Sequence, residues 1–329
     1  MYKTLQQFGK VKVNAALGKL TTFEIGGPAD FLVKVETQEK LVGLLNYLSG
    51  EGVDFLILGG GCNILLPDEG WRGVVIKVES RKSKVSAQGG SGESQTIEVE
   101  AGMDLSKLVE LTIQNNLTGL EWAAGIPGTV GGAIRGNAGA HYVFTGGEVK
   151  DSIETVLVWR DGEVFEFSGA ECGFGYRDSI FKHNKDVILS GRFKLRPGNA
   201  KESLLMTQKI IAERKGKQSA APSAGSFFKN LPLESWPRDL GELPERFIRY
   251  KKIAAGWLVE QAGLKGFQVG DAMVSLEHGN FIINKGNATQ ADVLAVVEEV
   301  KARVYTKFGV ELEEEVCVVG TATGVFSTV

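Results

Sequence analysis

Glycine is the residue that most restricts how this chain can fold. It accounts for 43 of the 329 residues, about twice the usual ~7%. The glycines follow no fixed period, which excludes a collagen-like chain, and they gather in a few short motifs instead of long low-complexity tracts. Because a glycine backbone allows another group to approach closely, these clusters predict a globular protein in which main chain meets a ligand or another segment.

Local patterns in the first half of the chain predict both helices and strands. The apolar stretch from Phe55 to Leu58 predicts a short buried strand. Leucines at helical spacing in residues 37–48 predict a helix capped by the Thr37 side chain. The dipeptide Asp161-Gly162, between two segments of alternating polarity, predicts a β-hairpin. Residues 80–95 are rich in Ser, Gly and Lys and predict a loop or a hairpin arm.

The C-terminal part shows the same mixture of patterns. Residues 218–225 predict a loop, and residues 311–319 predict a final strand. Between them, Thr289 and the amphipathic pattern that follows predict a long helix ending near Phe308. We therefore expect an α+β protein built from three units, which are residues 1–80, 81–200 and 201–329.

Charge and cysteine content exclude several classes of protein. The formal net charge of −3 provides no overall attraction to nucleic acid or to an anionic membrane surface. Three cysteines without a CxxC pair, no signal-peptide pattern and no apolar stretch of membrane length predict a cytoplasmic protein. We expect no metal site, because no cysteine or carboxylate stands at ligand spacing from the three histidines, His141, His183 and His278.

The first glycine motif, residues 59–63, directly follows the predicted strand at 55–58. Three consecutive glycines allow successive N–H groups to point into one concavity, which suits a phosphate or a diphosphate. The motif is neither a Walker A loop nor GxGxxG, because the residues that follow lack the required Lys and Gly. A tight turn at the end of a strand explains it equally well.

The second motif, residues 125–139, contains six glycines, with Pro127 restricting the backbone at its start. So many small residues allow a flat cofactor or a diphosphate to lie against the main chain. Close packing between two sheets is the alternative. We favour the ligand interpretation, since packing alone rarely needs six glycines in so short a segment.

Three further positions are candidates for chemistry, although each is weak by itself. Ser226 lies between a glycine and two phenylalanines, where a serine is commonly a turn residue. Arg177 follows a tyrosine and suits a carboxylate or phosphate, or a surface ion pair. Glu315 ends a run of three glutamates, and in a strand it would point away from Glu314, which is solvated.

Seven segments of the chain carry a resemblance to a known family. They are TTFEIGGPADFLV (21–33), LGGGCNILL (58–66), AGIPGTVGGAIRGNAGA (124–140), FGYRDS (174–179), AGSFFKN (224–230), AAGWLVEQAGLKG (254–266) and ELEEEVCVVG (311–320). In this order they resemble the UDP-N-acetylenolpyruvoylglucosamine reductase (MurB) family, and the resemblance covers residues 21–320.

The resemblance implies an FAD-binding fold of the vanillyl-alcohol-oxidase (PCMH) type, in two subdomains, 1–80 and 81–200, followed by a C-terminal α/β substrate domain. It implies that NADPH, acting through FAD, reduces UDP-N-acetylglucosamine enolpyruvate to UDP-N-acetylmuramate in peptidoglycan precursor synthesis. The residues implied to line FAD are Gly59, Gly60, Gly61, Cys62, Asn63, Ile64, Leu65, Gly125, Ile126, Pro127, Gly128, Thr129, Gly131 and Gly132.

The resemblance also assigns roles in catalysis and in substrate binding. Ser226 would be the general acid, and Arg177 and Glu315 would stabilise the intermediate. These residue types suit the chemistry, because adding hydride to the enolpyruvyl group develops negative charge that a guanidinium stabilises. A positioned acid must then supply a proton. The implied substrate contacts are Tyr176, Lys229, Asn230 and His278.

Some features depart from the family or leave alternatives open. This chain has Cys62 where the family usually has serine, Arg135 where an apolar residue is common, and Leu231 as an apparent insertion. Ser226 follows Arg177 by 49 positions, which is too short for the substrate loop that one subclass inserts there, so we expect the loopless subclass. The alternatives are another FAD oxidoreductase, such as a sugar or alcohol oxidase, and a nucleotide-sugar-binding or regulatory protein without turnover. We expect a monomer.

Overall fold

The computed structural model describes residues 1–87, 94–216 and 221–320. Up to residue 80 its elements are α1 (Tyr2–Leu5), β1 (Lys10–Ala16), β2 (Pro28–Val35), α2 (Gln38–Gly50), β3 (Phe55–Leu58), β4 (Ile64–Leu65) and β5 (Trp71–Val78). From there to residue 199 they are β6 (Ser83–Ala87), β7 (Gln95–Glu100), α3 (Leu105–Gln114), β8 (Leu117–Thr118), α4 (Val130–Arg135), β9 (Gly139–His141), β10 (Gly146–Glu148), β11 (Ile153–Arg160), β12 (Glu163–Ser168) and β13 (Val187–Pro197).

The remaining elements follow residue 199. They are α5 (Ala200–Lys215), β14 (Ser223–Ser226), β15 (Leu231–Pro232), α6 (Glu245–Tyr250), β16 (Lys252–Ile253), α7 (Ala255–Gln261), β17 (Gln268–Val269), β18 (Ala272–Val274), β19 (Phe281–Asn284), α8 (Gln290–Phe308) and β20 (Cys317–Val318). Short 3-10 turns lie between several of them, and the one at Ile180–Lys182 belongs to the candidate site. Every helix of the described residues is too short or too polar to cross a membrane.

The first sheet has the strand order β1-β2-β5-β3, in which β1 is antiparallel and the others are parallel. Helix α2 covers it with four fully buried leucines, Leu41, Leu44, Leu45 and Leu48. The Thr37 hydroxyl accepts a hydrogen bond from the Lys40 N–H and caps the helix. The predicted strand at 55–58 is confirmed, and so is the predicted helix with its Thr37 cap.

The second sheet is antiparallel, with the order β12-β11-β13-β7-β6, and β8 pairs with one end of β13. The predicted hairpin is confirmed: Asp161 and Gly162 have φ angles of 48° and 98°, the left-handed backbone that a two-residue hairpin turn requires. Trp159 of this sheet packs in the same core as α2 and donates its indole N–H to Asn46 at 2.6 Å. The two sheets therefore share part of their core.

The C-terminal part contains a third sheet, in the antiparallel order β14-β19-β18-β17, packed on the capped helix α8. The end of the C-terminal part returns to the first part of the chain, where β20 pairs in parallel with β4. This return places residues just before β20 beside the first glycine loop. The division at residues 80 and 200 remains our proposal.

Two sequence predictions need correction. Residues 311–319 do not form one strand, since only Cys317–Val318 is in a ladder. The reason is that the preceding main chain makes irregular bonds elsewhere, from the Lys229 N–H to Glu313 and from the Glu315 N–H to Phe227. Part of the loop predicted at 218–225 is strand β14, because its backbone pairs with β19. The parts of these predictions at 88–93 and 218–220 fall outside the described residues. The described part of the arm predicted at 80–95 forms β6 and the start of β7.

Glu121 joins the central part of the chain to α5. Its buried carboxylate accepts hydrogen bonds from the Ser203 hydroxyl, from the Thr118 hydroxyl at 2.7 Å and from the Gly119 N–H at 2.8 Å. Burial alone would raise the pKa of Glu121, but these hydrogen bonds outweigh it and hold the pKa below the usual 4.5. The carboxylate therefore stabilises the fold above its unfolded-state pKa, and this contribution is lost as the pH falls through the lower folded-state pKa.

We expect Glu121→Ala to lower the free energy of unfolding at pH 7 by about 1–3 kcal/mol, because it leaves buried donors without an acceptor. Urea unfolding at several pH values measures this, and the difference from the original protein should shrink below pH ~4.5. The matched control is Glu110→Ala, which removes an exposed glutamate that pairs with Lys107 on the surface and should stay within about 0.5 kcal/mol. An equal loss in both variants would contradict the prediction.

Candidate active site

A cleft with a volume of about 810 Å³ opens where the three parts of the chain meet. This volume lies within the ~300–1,000 Å³ common for small-molecule and cofactor sites. Among the residues predicted for a site, those that line it are Gly60, Gly61, Cys62, Asn63, Ile126, Pro127, Gly128, Thr129, Gly132, Tyr176, Arg177, Ser226, Asn230, His278 and Glu315. Both glycine motifs and all three candidates for catalysis therefore face one space.

The two glycine motifs touch each other on one wall of the cleft. A Cβ atom at Gly60 would lie 2.6 Å from the Gly128 Cα, so only glycine allows this approach. Gly61 has a φ of 70°, and a Cβ there would lie 2.2 Å from the Leu20 carbonyl oxygen. Gly128 itself has a φ of 118° and no atom within 4 Å of an added Cβ, so its bare backbone faces open space.

The main chain of residues 60–63 offers hydrogen-bond donors to this space. Among the residues that the structure describes, none accepts a hydrogen bond from the N–H groups of Gly60, Gly61, Cys62 or Asn63. Free N–H groups of a glycine-rich loop in a cleft form a cradle for anionic oxygens. The loop therefore fits the diphosphate of a dinucleotide cofactor such as FAD.

Side-chain hydrogen bonds fix the glycine loop at residues 59–63 in place. The Lys77 ammonium donates a hydrogen bond to the Gly59 carbonyl, and the Asn63 side chain donates one to the Glu315 carbonyl at 3.0 Å. Cys62 lines the cleft, and burial raises the pKa of its thiol, which favours the neutral form. The thiol donates to the Gly60 carbonyl only weakly, at 3.5 Å.

Arg177 is fixed in the cleft by its backbone and by its side chain. It lies in a tight turn with a φ of 54°, an uncommon value for a residue with a Cβ atom. Its guanidinium donates to the Gly139 carbonyl at 2.5 Å and forms an ion pair with Glu315, with 2.9 Å between Nε and Oε1. The guanidinium also lies 5.3 Å from the centre of the Tyr176 ring. These contacts leave the cation little freedom to move.

Glu315 shares this part of the cleft. Burial raises the pKa of its carboxyl, while Arg177, Lys182 and Lys229 act in the opposite direction, and the net result lies above the usual value. Its main chain donates to the Phe227 carbonyl at 2.8 Å, which places it next to the segment that carries Ser226. Residues far apart in sequence are thus neighbours here.

Ser226 ends strand β14, and an irregularity in that strand sets its position. The register between β14 and β19 shifts between Ser223 and Ser226, and Gly225 within the shift has a φ of 78°. Bulges of this kind redirect the side chain that follows them. Among the described residues, none makes a hydrogen bond with the Ser226 hydroxyl, so it is available to a ligand.

The predicted substrate residues divide into two groups. Tyr176, Asn230 and His278 line the cleft, and burial raises the pKa of the Tyr176 phenol. The Asn230 side chain accepts a hydrogen bond from the Ala255 N–H at 3.1 Å, and the His278 ring accepts one from the Asn280 N–H at 3.1 Å. Lys229 lies outside the lining and pairs with Glu313.

Five predicted cofactor residues also lie outside the lining of the cleft. Ile64 and Leu65 are fully buried in the core, because β4 pairs with β20 behind the loop. Gly125 packs on the Arg214 side chain, and Gly131 packs on Ala101. Gly59 and Gly131 border a small void behind the wall. The cleft lining therefore gives no support for direct contact by Gly59, Ile64, Leu65, Gly125 and Gly131, and their role at FAD stays a prediction.

Three cations without a site role in the sequence predictions also line the cleft: Arg135, Lys182 and Arg214. Lys182 lies five residues after Arg177, just beyond the FGYRDS motif, and the short turn at Ile180–Lys182 brings it back to the cleft. Arg214 lies in the last turn of α5, where a cation is also favoured by the helix dipole. No group of His, Cys, Asp or Glu in the described parts of the chain could hold a metal ion.

Two known protein domains match this chain. An FAD binding domain matches residues 29–168, and the C-terminal domain of UDP-N-acetylenolpyruvoylglucosamine reductase matches residues 217–319. The UDP-N-acetylenolpyruvoylglucosamine reductase of Caldanaerobacter subterraneus subsp. tengcongensis is 39% identical over 320 residues, 97% of this chain and 96% of that protein. The one of Carboxydothermus hydrogenoformans is 40% identical over 310 residues, 93% of each chain. The crystal structure of the enzyme from Thermus caldophilus, at 35% identity, matches with a TM-score of 0.69 over 94% of this chain and 98% of that one.

The fold and the cleft define an FAD-containing oxidoreductase, and the predicted α+β fold of the FAD-binding vanillyl-alcohol-oxidase type is confirmed. The chain belongs to the UDP-N-acetylenolpyruvoylglucosamine reductase (MurB) family. The loopless subclass and the roles of individual residues remain predictions.

Proposed function

We propose that this protein reduces UDP-N-acetylglucosamine enolpyruvate to UDP-N-acetylmuramate, with NADPH as the electron source, in the synthesis of peptidoglycan precursors. One observation carries the proposal: the Arg177–Glu315 ion pair and Ser226 line the same cleft as the bare backbone of Gly60 and Gly128. A fixed cation, a hydroxyl and a cofactor surface in one cleft are the groups that this reduction needs.

The glycine wall would hold the cofactor. FAD bound there supplies hydride transfer from NADPH to the enolpyruvyl group. The free N–H groups of residues 60–63 would bind the diphosphate, since oriented main-chain donors stabilise anionic oxygens. The bare backbone at Gly128 would leave room for a flat group to lie against it.

Arg177 would stabilise the charge that develops during the reduction. Addition of hydride to C3 of the enolpyruvyl group moves negative charge towards the carboxylate. The Arg177 guanidinium is already held by Gly139 and Glu315, so it needs no reorganisation when this charge appears. Glu315 would orient Arg177 and would keep the pair close to neutral before the substrate arrives.

Ser226 would complete the reaction by donating its proton to C2. A serine hydroxyl is a weak acid in water, but the intermediate is strongly basic and the donor is held in place. The bulge at Gly225 aims this hydroxyl, and no described residue makes a hydrogen bond with it. The hydroxyl is therefore free to act on a substrate.

The cleft also suits an anionic substrate. Arg135, Lys182 and Arg214 line it together with Arg177, whereas the carboxylates Glu24, Glu213 and Glu315 are fewer. An excess of cations favours a ligand that carries both a diphosphate and a carboxylate. We propose that Tyr176, Asn230 and His278 contact the UDP-sugar. We propose that Lys229, which pairs with Glu313, acts on the same substrate from outside the lining of the cleft.

Anaerobic reduction tests the proposed function. Purified protein loaded with FAD is mixed with NADPH, and UDP-N-acetylglucosamine enolpyruvate is then added while the flavin absorbance is recorded. We expect the absorbance to fall with NADPH and to return with the UDP-sugar. A fall without a return would contradict the substrate assignment and favour another FAD oxidoreductase, and oxygen consumption would then identify an oxidase.

The Gly128 backbone provides a test of where the cofactor lies. Gly128→Ala should weaken FAD binding roughly tenfold or more, a loss of ~1.4 kcal/mol or more, because the methyl group would project into the cleft. The control is Gly162→Ala in the β11–β12 turn, since Gly162 also has a positive φ and open space around an added Cβ. Both changes place alanine at a positive φ, so the backbone cost is present in the control as well.

Titration of the apoprotein with FAD, followed by flavin fluorescence, measures the two dissociation constants. Equal FAD affinity in the two variants would place the cofactor away from this wall.

We also propose that the enzyme acts as a monomer in the cytoplasm. The three cysteines are free thiols, Cys62, Cys172 and Cys317, which fits a reducing compartment. The mass of the FAD-loaded protein in solution, measured by light scattering, tests the monomer, and a stable dimer would contradict it.

A further inference from the structure

Lys182 is a partly buried cation of the cleft to which the proposed mechanism assigns no catalytic step. It ends the turn at Ile180–Lys182, which directly follows the segment that carries Arg177. Its ammonium donates a hydrogen bond to the Arg177 carbonyl at 2.7 Å. Lys182 thus contacts the main chain of the residue that would stabilise the charge of the intermediate.

The backbone at Arg177 needs support of this kind. Its φ of 54° is unfavourable for a residue with a Cβ atom and persists only where surrounding contacts hold it. Gly175 and Asp178 exchange two hydrogen bonds across the turn, at 3.0 and 3.3 Å. Lys182 adds a charged donor to the carbonyl of Arg177, the residue of this turn that has the left-handed backbone.

The charges around Lys182 come from several elements. Arg135 of α4, Lys229 after β14, Asp178 of the Arg177 turn and Glu315 before β20 all act on it. Burial lowers the pKa of Lys182, and Arg135 and Lys229 add to that effect, while Glu315 and Asp178 oppose it. A cation kept in such surroundings needs a structural or catalytic reason.

We propose that Lys182 is a positioning residue for Arg177: it holds the left-handed turn from which the Arg177 guanidinium reaches Gly139 and Glu315. This inference rests on the proposed function, in which Arg177 stabilises the intermediate. In the chemical step Lys182 then acts through Arg177 and contributes to the reduction of the enolpyruvyl group, while the reaction with NADPH does not depend on it.

A double-mutant cycle tests this inference, because two residues that act as one unit are not additive. The variants are Lys182→Met, Arg177→Met and the double variant, each loaded with FAD and assayed for the two half-reactions separately. Displacement of Arg177 by Lys182→Met should slow the step with the UDP-sugar about 10–100-fold, since misplacement by ~1 Å has this effect. The rate with NADPH should stay within about a factor of two.

The double variant decides between acting through Arg177 and touching the substrate. We expect it to be as slow as Arg177→Met alone, within about a factor of two. If the two losses multiply, Lys182 contributes independently and the inference is overturned. If Arg177→Met itself has no effect, the role of Arg177 in the proposed function fails instead, so the two failures are distinguishable.

Two further variants complete the experiment. Lys182→Arg keeps a charged donor and should recover at least part of the lost rate, whereas no recovery would contradict a positioning role. Lys307→Met is the matched control, since its ammonium also donates to a backbone carbonyl, that of Gln261, outside the cleft lining. If Lys182→Met does not fold, judged by thermal unfolding and FAD content, Lys182→Gln takes its place in the cycle.

Discussion

Replacing Ser226 with alanine is expected to slow the reduction of the UDP-sugar by about 10²–10⁴-fold, the usual effect of losing a positioned general acid. The reaction with NADPH should be unchanged, because it requires no proton at C2 of the substrate. Stopped-flow absorbance of the bound FAD separates the two steps. The return of the oxidised spectrum should be slow, while its loss on mixing with NADPH should be as fast as in the original protein.

The structure explains why this substitution tests chemistry and not folding. Ser226 is at the end of its strand, and none of the described residues makes a hydrogen bond with its hydroxyl, so alanine leaves no protein donor or acceptor unpaired. Ser226→Cys keeps a proton donor and should retain more of the rate than alanine. If the alanine variant stays within about tenfold of the original rate, another group is the acid.

Replacing Arg177 with methionine is expected to lower the rate of the same step by about 10²–10³-fold, as for the loss of one preorganised donor to a developing charge. The guanidinium is held before the substrate arrives, so its loss should lower kcat more than it raises KM. Arg177→Lys should rescue little, because an ammonium does not reproduce the paired contacts to Gly139 and Glu315. Steady-state and single-turnover rates measure both effects.

A matched arginine outside the cleft controls for the loss of an ion pair. Arg192 pairs with Glu98 and Glu166 on the surface of the second sheet, where its side chain is 33% exposed. Arg192→Met should leave both half-reactions within about a factor of two. If Arg177→Met and Arg192→Met lose activity equally, a general loss of stability explains the result, and the role of Arg177 is not supported.

Elements with a strong local signal were predicted well from the sequence. The helix after Thr37, the hairpin at Asp161-Gly162 and the long helix after Thr289 each depend on neighbours within one or two turns. The strand predicted at 311–319 was wrong, because its partners lie far away in the sequence. The main chain around Glu315 bonds to the irregular segment after β14, and no local pattern reveals that partner.

The residue types of the candidate site were also visible in the sequence, although their grouping was not. Arg177, Ser226 and Glu315 were each ambiguous, and a resemblance over the whole chain was needed to select them together. The structure adds the hydrogen bond from Lys182 to the Arg177 carbonyl, which requires a three-residue turn to reverse the chain. It also removes Ile64 and Leu65 from the cleft, because a strand from the far end of the chain covers them.

The sequence by itself determined where the backbone must be bare, where helices begin and which side chains could bind charge. These properties depend on the identity of single residues and their immediate neighbours, as the glycines at 60, 61 and 128 illustrate. Only the tertiary structure decided that both glycine motifs touch, that Glu315 returns to pair with Arg177 and that the Gly225 bulge positions Ser226. The physical reason is that these contacts join segments far apart along the chain, and their geometry follows from how the three sheets pack.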